Sequence, residues 1–178
     1  MHGNFADPKS NVLQLGIRDG MKIADLGAGS GHYAIAAAAA VGSEGKIYAI
    51  DIQEDILHHL RDSAHRMHLR NIETIWGNFE KVGGTKLRDG VLDAVIVSNV
   101  LFQIEHHEGA MTEIKRILKS GGKLLVIDWA GSYGNMGPHP DHVVTEHKAE
   151  ELFITAGFHK VKDFRAGPHH YGIVFTKP

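Results

Sequence analysis

The chain has 178 residues, 43% of them hydrophobic and 22% charged, with a formal charge of −2, which suits one compact domain with a proper core. So small a charge gives no electrostatic footprint for nucleic acid or an anionic membrane. The absence of cysteine excludes disulfides, thiolate-ligated zinc, iron–sulfur clusters and thiol nucleophiles. The longest apolar stretch, Ala34 to Val41, is far short of the roughly 20 residues that span a bilayer. Met1 to Asp7 carries neither a basic region followed by an apolar run nor a twin arginine, so a cytoplasmic protein is expected.

In chain order, Asp7-Pro8 supplies an N-cap and first-turn proline for a short helix ending near Gly16. Met21–Leu26 reads as the first strand and Gly31–Val41 as an alanine-rich helix. Lys46–Ile50 is the second strand, and Ile56, Leu57, Leu60, Ala64 and Met67 keep helical spacing after it. Ile72–Trp76 is the third strand. Val91–Ser98, the fourth, has the near-continuous apolar run of a buried parallel strand. A helix through Met111, Ile114, Ile117 and Leu118 is stopped by Gly121-Gly122, and Lys123–Trp129 follows as the fifth strand. Residues 130–144 are rich in Gly, Pro and Ser and read as a long loop. Thr145 caps a last helix that ends at Gly157, and Val161–Arg165 pairs with Tyr171–Thr176 as a hairpin around Gly167-Pro168. Trp76, Phe153 and Phe158 are expected in the core. His58, His59, His65 and His68 avoid the apolar positions of their helix and are expected at the surface. The alternation predicts one α/β domain over 1–178, a Rossmann-like doubly wound, mostly parallel seven-stranded sheet with helices on both faces and a C-terminal antiparallel hairpin.

The strongest chemical feature is Asp25-Leu26-Gly27-Ala28-Gly29-Ser30-Gly31, between a strand and a helix. Its glycines let the backbone turn sharply and approach a ligand, and the helix aims free N–H groups at the loop. Asp51 ends the next strand, about 20 residues on, the spacing of a ribose-binding carboxylate. Dinucleotide loops read G-x-G-x-x-G and cradle a pyrophosphate. Here the spacing is G-x-G-x-G and an aspartate precedes it, a choice that suits a cationic ligand without phosphate.

With these residues the chain resembles the class I S-adenosylmethionine-dependent methyltransferases. The glycine loop matches that family's first motif, and Tyr48-Ala49-Ile50-Asp51 matches its second. Trp76-Gly77-Asn78-Phe79, the run Leu92 to Leu101 and the run Ile117 to Leu124 resemble its later motifs, in order and in register. The similarity is greatest to the small-molecule group that includes the ubiquinone and menaquinone C-methyltransferases. It implies S-adenosylmethionine as cofactor, with Gly27, Ala28, Gly29 and Gly31 under the methionine half and Asp25 orienting the ammonium group. It also implies Asp51 on the ribose diol, Ile52 on the adenine face, Asn78 and Phe79 at the adenine edge, and Asn99 and Leu101 closing the methionine side. An aspartate is common at the place of Asn78. Asparagine offers only its amide oxygen as acceptor, which shifts adenine recognition toward the backbone of Phe79.

The methyl acceptor expected is a small molecule, with no nucleic-acid or membrane partner. Strand four ends in Ser98-Asn99-Val100-Leu101, without the paired prolines of exocyclic-amine nucleic-acid methyltransferases. The lack of cysteine excludes thiolate-assisted cytosine chemistry and arsenic methylation on thiols. Groups that could serve as a base should stand at the carboxyl ends of the strands. Asp128 and Trp129, His106 and His107, and above all His139, His142, His169 and His170 qualify, histidine being a base near neutral pH. Convergence of the last four would also make a metal site conceivable, although no metal is expected. The 130–144 loop and the segment around Phe5 would cover the acceptor, and a homodimer could complete each pocket. Two other readings share the fold: a nicotinamide-dependent oxidoreductase and a non-catalytic cofactor-binding subunit of a methyltransferase complex.

Overall fold

The structure is a computed structural model that describes residues 6–134 and 136–178. Helix α1 (Pro8–Val12) starts where the Asp7 carboxylate accepts the Lys9 amide, and a single 3-10 turn, Leu13–Leu15, carries it to Gly16 in a left-handed conformation. Then follow β1 (Lys22–Leu26), α2 (His32–Ala40), β2 (Lys46–Asp51), α3 (Glu54–Arg66), β3 (Ile72–Trp76), β4 (Leu92–Ser98), α4 (His107–Ile117), β5 (Leu118–Trp129), α5 (Glu146–Thr155), β6 (His159–Gly167) and β7 (His170–Thr176). They form one seven-stranded sheet in the order β3-β2-β1-β4-β5-β7-β6. The first five strands in that order run parallel, and β7 is antiparallel to both β5 and β6.

Side chains of a strand alternate between the faces of a sheet, and the two cores follow that alternation. Ile23, Ile47, Ala94, Ile96, Leu125 and Ile127 meet Val12, Leu15, Tyr33, Ala34, Ala37 and Leu60 from α1 and the 3-10 turn after it, α2 and α3 on one face. Ala24, Leu26, Val95, Val97, Leu124 and Val126 meet Met111, Ile114, Ile117 and Phe153 from α4 and α5, with Phe158 just after α5, on the other. The doubly wound fold is therefore as expected.

Two local expectations fail. The helix predicted to run up to Gly121-Gly122 stops at Ile117, and the strand begins at once with Leu118. Leu118 is fully buried and pairs with Leu92, across an irregularity that resumes at Ala94 and Lys123. The Lys177 ammonium donates to the carbonyls of Lys115 and Leu118 at 2.7 Å each, satisfying acceptors that the helix end leaves open. Trp76, expected in the core, is 57% exposed because β3 is an edge strand. Phe153 and Phe158 are buried edge to face, and His58, His59 and His65 of α3, with His68 just beyond its end, are exposed, as expected. No helix among the described residues is long and apolar enough to cross a membrane.

Candidate active site

The order β3-β2-β1-β4 makes the chain leave opposite sides of β1 and β4, and ligands of open α/β sheets bind at the carboxyl ends of the strands beside such a switch. A cavity of about 830 Å³ lies there. Because β7 runs antiparallel, its first residue, His170, reaches the same edge and pairs with Trp129, the last residue of β5.

The floor is the turn after β1. The Gly27 and Ala28 amides donate to the Ile50 carbonyl at 2.8 and 3.0 Å, tying the turn to β2. Gly29 has left-handed φ of +53°, and a Cβ there would meet open space, so the glycine keeps the approach to the cavity clear. Gly31 serves a different end. At φ +83° it caps α2, and a Cβ would lie 2.5 Å from the Leu60 side chain. It seats the helix on α3 and does not line the cavity.

Asp51 ends β2 at the cavity wall. One carboxylate oxygen accepts the Gly29 amide and the other the Gln53 amide, both at 2.9 Å. A carboxylate has roughly four acceptor sites, so each oxygen keeps capacity for a hydroxyl. Ile52, 62% exposed, presents an apolar face beside it. Asn78 and Phe79 line the next stretch. The Asn78 amide oxygen already accepts the Glu80 amide at 2.8 Å, which leaves its NH2 group to face a ligand. Glu80 in turn accepts the amides of Glu105 and His106, holding this loop to the start of α4.

Asp25 lies beneath the floor, 1% exposed and outside the cavity lining. Neither carboxylate oxygen closes a hydrogen bond among the described residues. Burial pushes it up to about 7, against a weak pull from the Ala34 amide and with Asp51 adding to the rise. Asn99, in the left-handed region at φ +54°, lines the cavity, and its buried side-chain oxygen also lacks a partner. Leu101 is buried behind it and does not line the cavity; its amide donates to Asp128 at 2.9 Å.

The far end of the cavity is aromatic. Tyr33, Phe102 and Trp129 line it with His170, Gln103, Ala6, Pro8 and Gly137. The Tyr33 hydroxyl accepts from Asn11 at 3.0 Å, and burial pushes it up to about 12, so it stays neutral. His170 is 3% exposed, its ring 4.3 Å from that of Trp129 and its Nδ1 without a partner. Burial, then the neighbouring His169, lower its pKa and favour neutral imidazole.

Of the four histidines singled out from the sequence, only His170 lines this cavity. His169, one residue earlier, stacks on Tyr133 at 4.1 Å instead. His139 and His142 lie on the exposed surface of the long loop, their rings 6.0 Å apart, and His139 faces Asp141. Among the described residues no three histidine, aspartate or glutamate side chains converge as a metal site. The expectation attached to Phe5 lies outside the described residues, but its neighbours Ala6 and Pro8 are part of the wall. Sequence reasoning missed Tyr33, Phe102 and Gln103. Tyr33 stands in the first turn after the glycine loop and the other two just after strand four, places whose nearness to the switch was the available signal.

A doubly wound sheet with a glycine turn, an acid at the end of β2 and a cavity over the switch defines a nucleoside-cofactor-binding α/β protein. The "Methyltransferase domain" family model matches residues 17–164, and the chain belongs to that family. Over 121 residues it is 32% identical to a ubiquinone/menaquinone biosynthesis C-methyltransferase of Cupriavidus taiwanensis, covering 67% of this chain and 47% of that one. Over 120 residues it is 27% identical to a demethylmenaquinone methyltransferase of Bacillus mycoides, covering 67% and 49%. The chain thus spans about half the length of the curated relatives it matches. The crystal structure of a SAM-dependent methyltransferase from Aquifex aeolicus superposes with a TM-score of 0.89 at 25% identity, over 98% of this chain and 92% of that one.

S-adenosylmethionine is accordingly the cofactor, and the site fits it. Asp25 and Asn99 hold three buried acceptor oxygens without partners at the glycine-turn end, which suits a cationic ammonium, and the free capacity of Asp51 suits a diol. Family membership selects the methyltransferase over the nicotinamide-dependent oxidoreductase.

Proposed function

We propose that the chain methylates a small, uncharged, hydroxylated aromatic molecule, with His170 taking the acceptor's proton. The observation that carries this reading is the division of the cavity. One end offers carboxylate and amide acceptors; the other offers Tyr33, Phe102 and Trp129 with the neutral imidazole of His170, a second histidine, His32, lining the cavity at the start of α2. No lysine or arginine lines it among the described residues, so a carboxylated or phosphorylated acceptor would give up water without an ion pair. A flat ring fits between aromatic walls, where ring pairs add about 0.5–1.5 kcal/mol beyond their burial. The names of the relatives, one a ubiquinone/menaquinone biosynthesis C-methyltransferase and the other a demethylmenaquinone methyltransferase, support a quinol-like ring.

Gly27, Ala28, Gly29 and Asn99 would hold the methionine half, Asp51 the ribose, and Ile52, Asn78 and Phe79 the adenine. When bound, the cofactor supplies an electrophilic methyl group on a sulfonium leaving group. The chain's own part is to hold the acceptor against that methyl, exclude water and accept one proton. With its proton on Nε2, His170 has a free Nδ1 to receive the acceptor's hydroxyl proton. The electrons left behind attack through oxygen or through the ring carbon beside it.

The test is calorimetric titration with S-adenosylhomocysteine, with NADH as the parallel ligand, followed by turnover on a panel of acceptors. Micromolar binding of S-adenosylhomocysteine alone and turnover of hydroquinones or naphthols, but not of their carboxylated or phosphorylated analogues, is expected. Turnover confined to the anionic analogues would overturn the acceptor class.

A further inference from the structure

The cavity's two halves are joined by one buried carboxylate that lines neither. Asp128 is 1% exposed at the end of β5. One of its oxygens accepts the Leu101 amide at 2.9 Å and the other the Trp129 amide at 2.8 Å, and the Val100 amide also faces it. Leu101 and Val100 belong to the turn that leaves β4 through left-handed Asn99. The Val100 side chain presses on the glycine floor, where a Cβ on Gly27 would come within 2.9 Å of it. Trp129 is the aromatic wall of the other half.

We propose that Asp128 is a positioning residue: its carboxylate clamps the Asn99–Leu101 turn, which braces the cofactor floor, to the backbone of Trp129, which carries the acceptor wall. The inference rests on the cofactor and acceptor assignment of the previous section.

Burying a carboxylate is unfavourable unless it is well hydrogen-bonded, and no arginine or lysine among the described residues offsets this one. A leucine of similar volume would pack in its place at no such cost. What a carboxylate does and a leucine cannot is accept from two chain segments at once, with charge-assisted bonds shorter and about twice as strong as neutral ones. Burial pushes Asp128 up to about 6, opposed by the amides of Trp129, Leu101 and Val100. It is therefore ionised, and the clamp closed, at neutral pH. Asn99 is also pinned from beneath, its amide donating to the Ile127 carbonyl at 2.8 Å. The two ties fix a turn whose left-handed residue would otherwise relax.

The test compares the Trp76→Phe protein, in which Trp129 is the only tryptophan, with the same protein carrying Asp128→Asn. Both are titrated with S-adenosylhomocysteine by calorimetry and by tryptophan emission. Asparagine is nearly isosteric but presents an NH2 to one of the two amides. The expected result is a cooperative melt, affinity for S-adenosylhomocysteine lower by about tenfold, and loss of the ligand-induced change in Trp129 emission. A purely structural role would lower the melting temperature and leave that emission change intact. A folded variant that binds and responds like its parent overturns the proposal. If the variant does not fold, hydrogen exchange in the unaltered protein decides. Slowing of the Leu101 and Trp129 amides together on adding S-adenosylhomocysteine supports the clamp; slowing of one alone, or of neither, overturns it. A parent that binds no S-adenosylhomocysteine overturns the cofactor assignment itself, and with it this inference, before any change at Asp128 is made.

Discussion

Asp51 and His170 show how much of a residue's role is set by what its neighbours leave free. Both oxygens of Asp51 are already held by backbone amides, so the carboxylate is oriented before a ligand arrives. Asp51→Ala should therefore cost both that orientation and the ribose contact, weakening S-adenosylhomocysteine binding by roughly 1.5–3 kcal/mol, measured by calorimetry. Unchanged affinity would mean that another group meets the ribose. His170 contributes through a single unpartnered nitrogen. With an acceptor that turns over, His170→Gln should lower kcat by about 10² to 10⁴, the scale of general base catalysis. The sign of the pH effect follows from the lowered pKa: the base is neutral above a value that lies under 6.5. Activity of the unaltered protein should then fall on acidification below that value, and the variant should lose that acid limb. A variant with the parent's limb would assign the titration to another group.

The elements explain why these residues meet, and also what the sequence could and could not reveal. Every strand and helix was visible as periodicity or a cap, because each buries one face against the sheet or lies wholly within it. The glycine turn, Asp51, Asn78 and Asn99 were visible because they follow strand ends, and the parallel order brings strand ends together. Choosing between His169 and His170 needed the register. His170 is the first residue of β7, and its pairing with Trp129 turns it inward, whereas His169 belongs to the turn before that strand and goes to Tyr133. Asp25 belongs to the buried alternation of β1 and sits a layer below the cavity floor, so its charge would act on a bound ammonium through the turn rather than from the cavity wall. Gly31 was read as part of the cradle, whereas its contact is with Leu60. That distinction is testable. Gly31→Ala places a Cβ against Leu60 and forces alanine to φ +83°, so it should destabilise the fold by about 1–3 kcal/mol. Gly29→Ala at φ +53° has no such overlap; its strain is smaller, and its effect should appear in cofactor affinity. Denaturant melts and calorimetry of the two variants separate the roles, and equal loss of stability in both would refute the division.

Across the whole molecule, binding capacity at the glycine turn is set against stability, and pH shows the conflict. Asp25 holds its proton up to about 7 in the fold, against an ordinary value of 3.8. Between those values the folded chain binds more protons than the unfolded one, so Asp25 makes stability fall as pH rises across that window. Asp128, raised to about 6, acts in the same direction over a narrower range. His170, whose pKa is lowered, acts oppositely: below 6.5 the unfolded chain binds more protons at this residue than the folded one, so its contribution grows as pH rises toward 6.5. Glu113 also acts oppositely, but in acid. Burial would raise it, yet bonds from Arg116 and Thr85 hold it at about 2, so its contribution is lost as pH falls from 4.5 toward 2. Asp25→Asn isolates the first of these effects, because the other groups are present in both proteins. At pH 8 the ligand-free variant should be more stable than its parent, by up to about 4 kcal/mol at about 1.4 kcal/mol per decade of proton affinity. At pH 4 the two should melt alike. Addition of S-adenosylhomocysteine at pH 8 should narrow the gap, because its ammonium compensates the parent's buried charge and binds the variant less well. Melting curves at pH 4, 6 and 8, with and without the ligand, provide the comparison. A stability difference independent of pH would show that Asp25 titrates in the folded chain as it does in the unfolded one, and a gap unmoved by ligand would place the ammonium elsewhere.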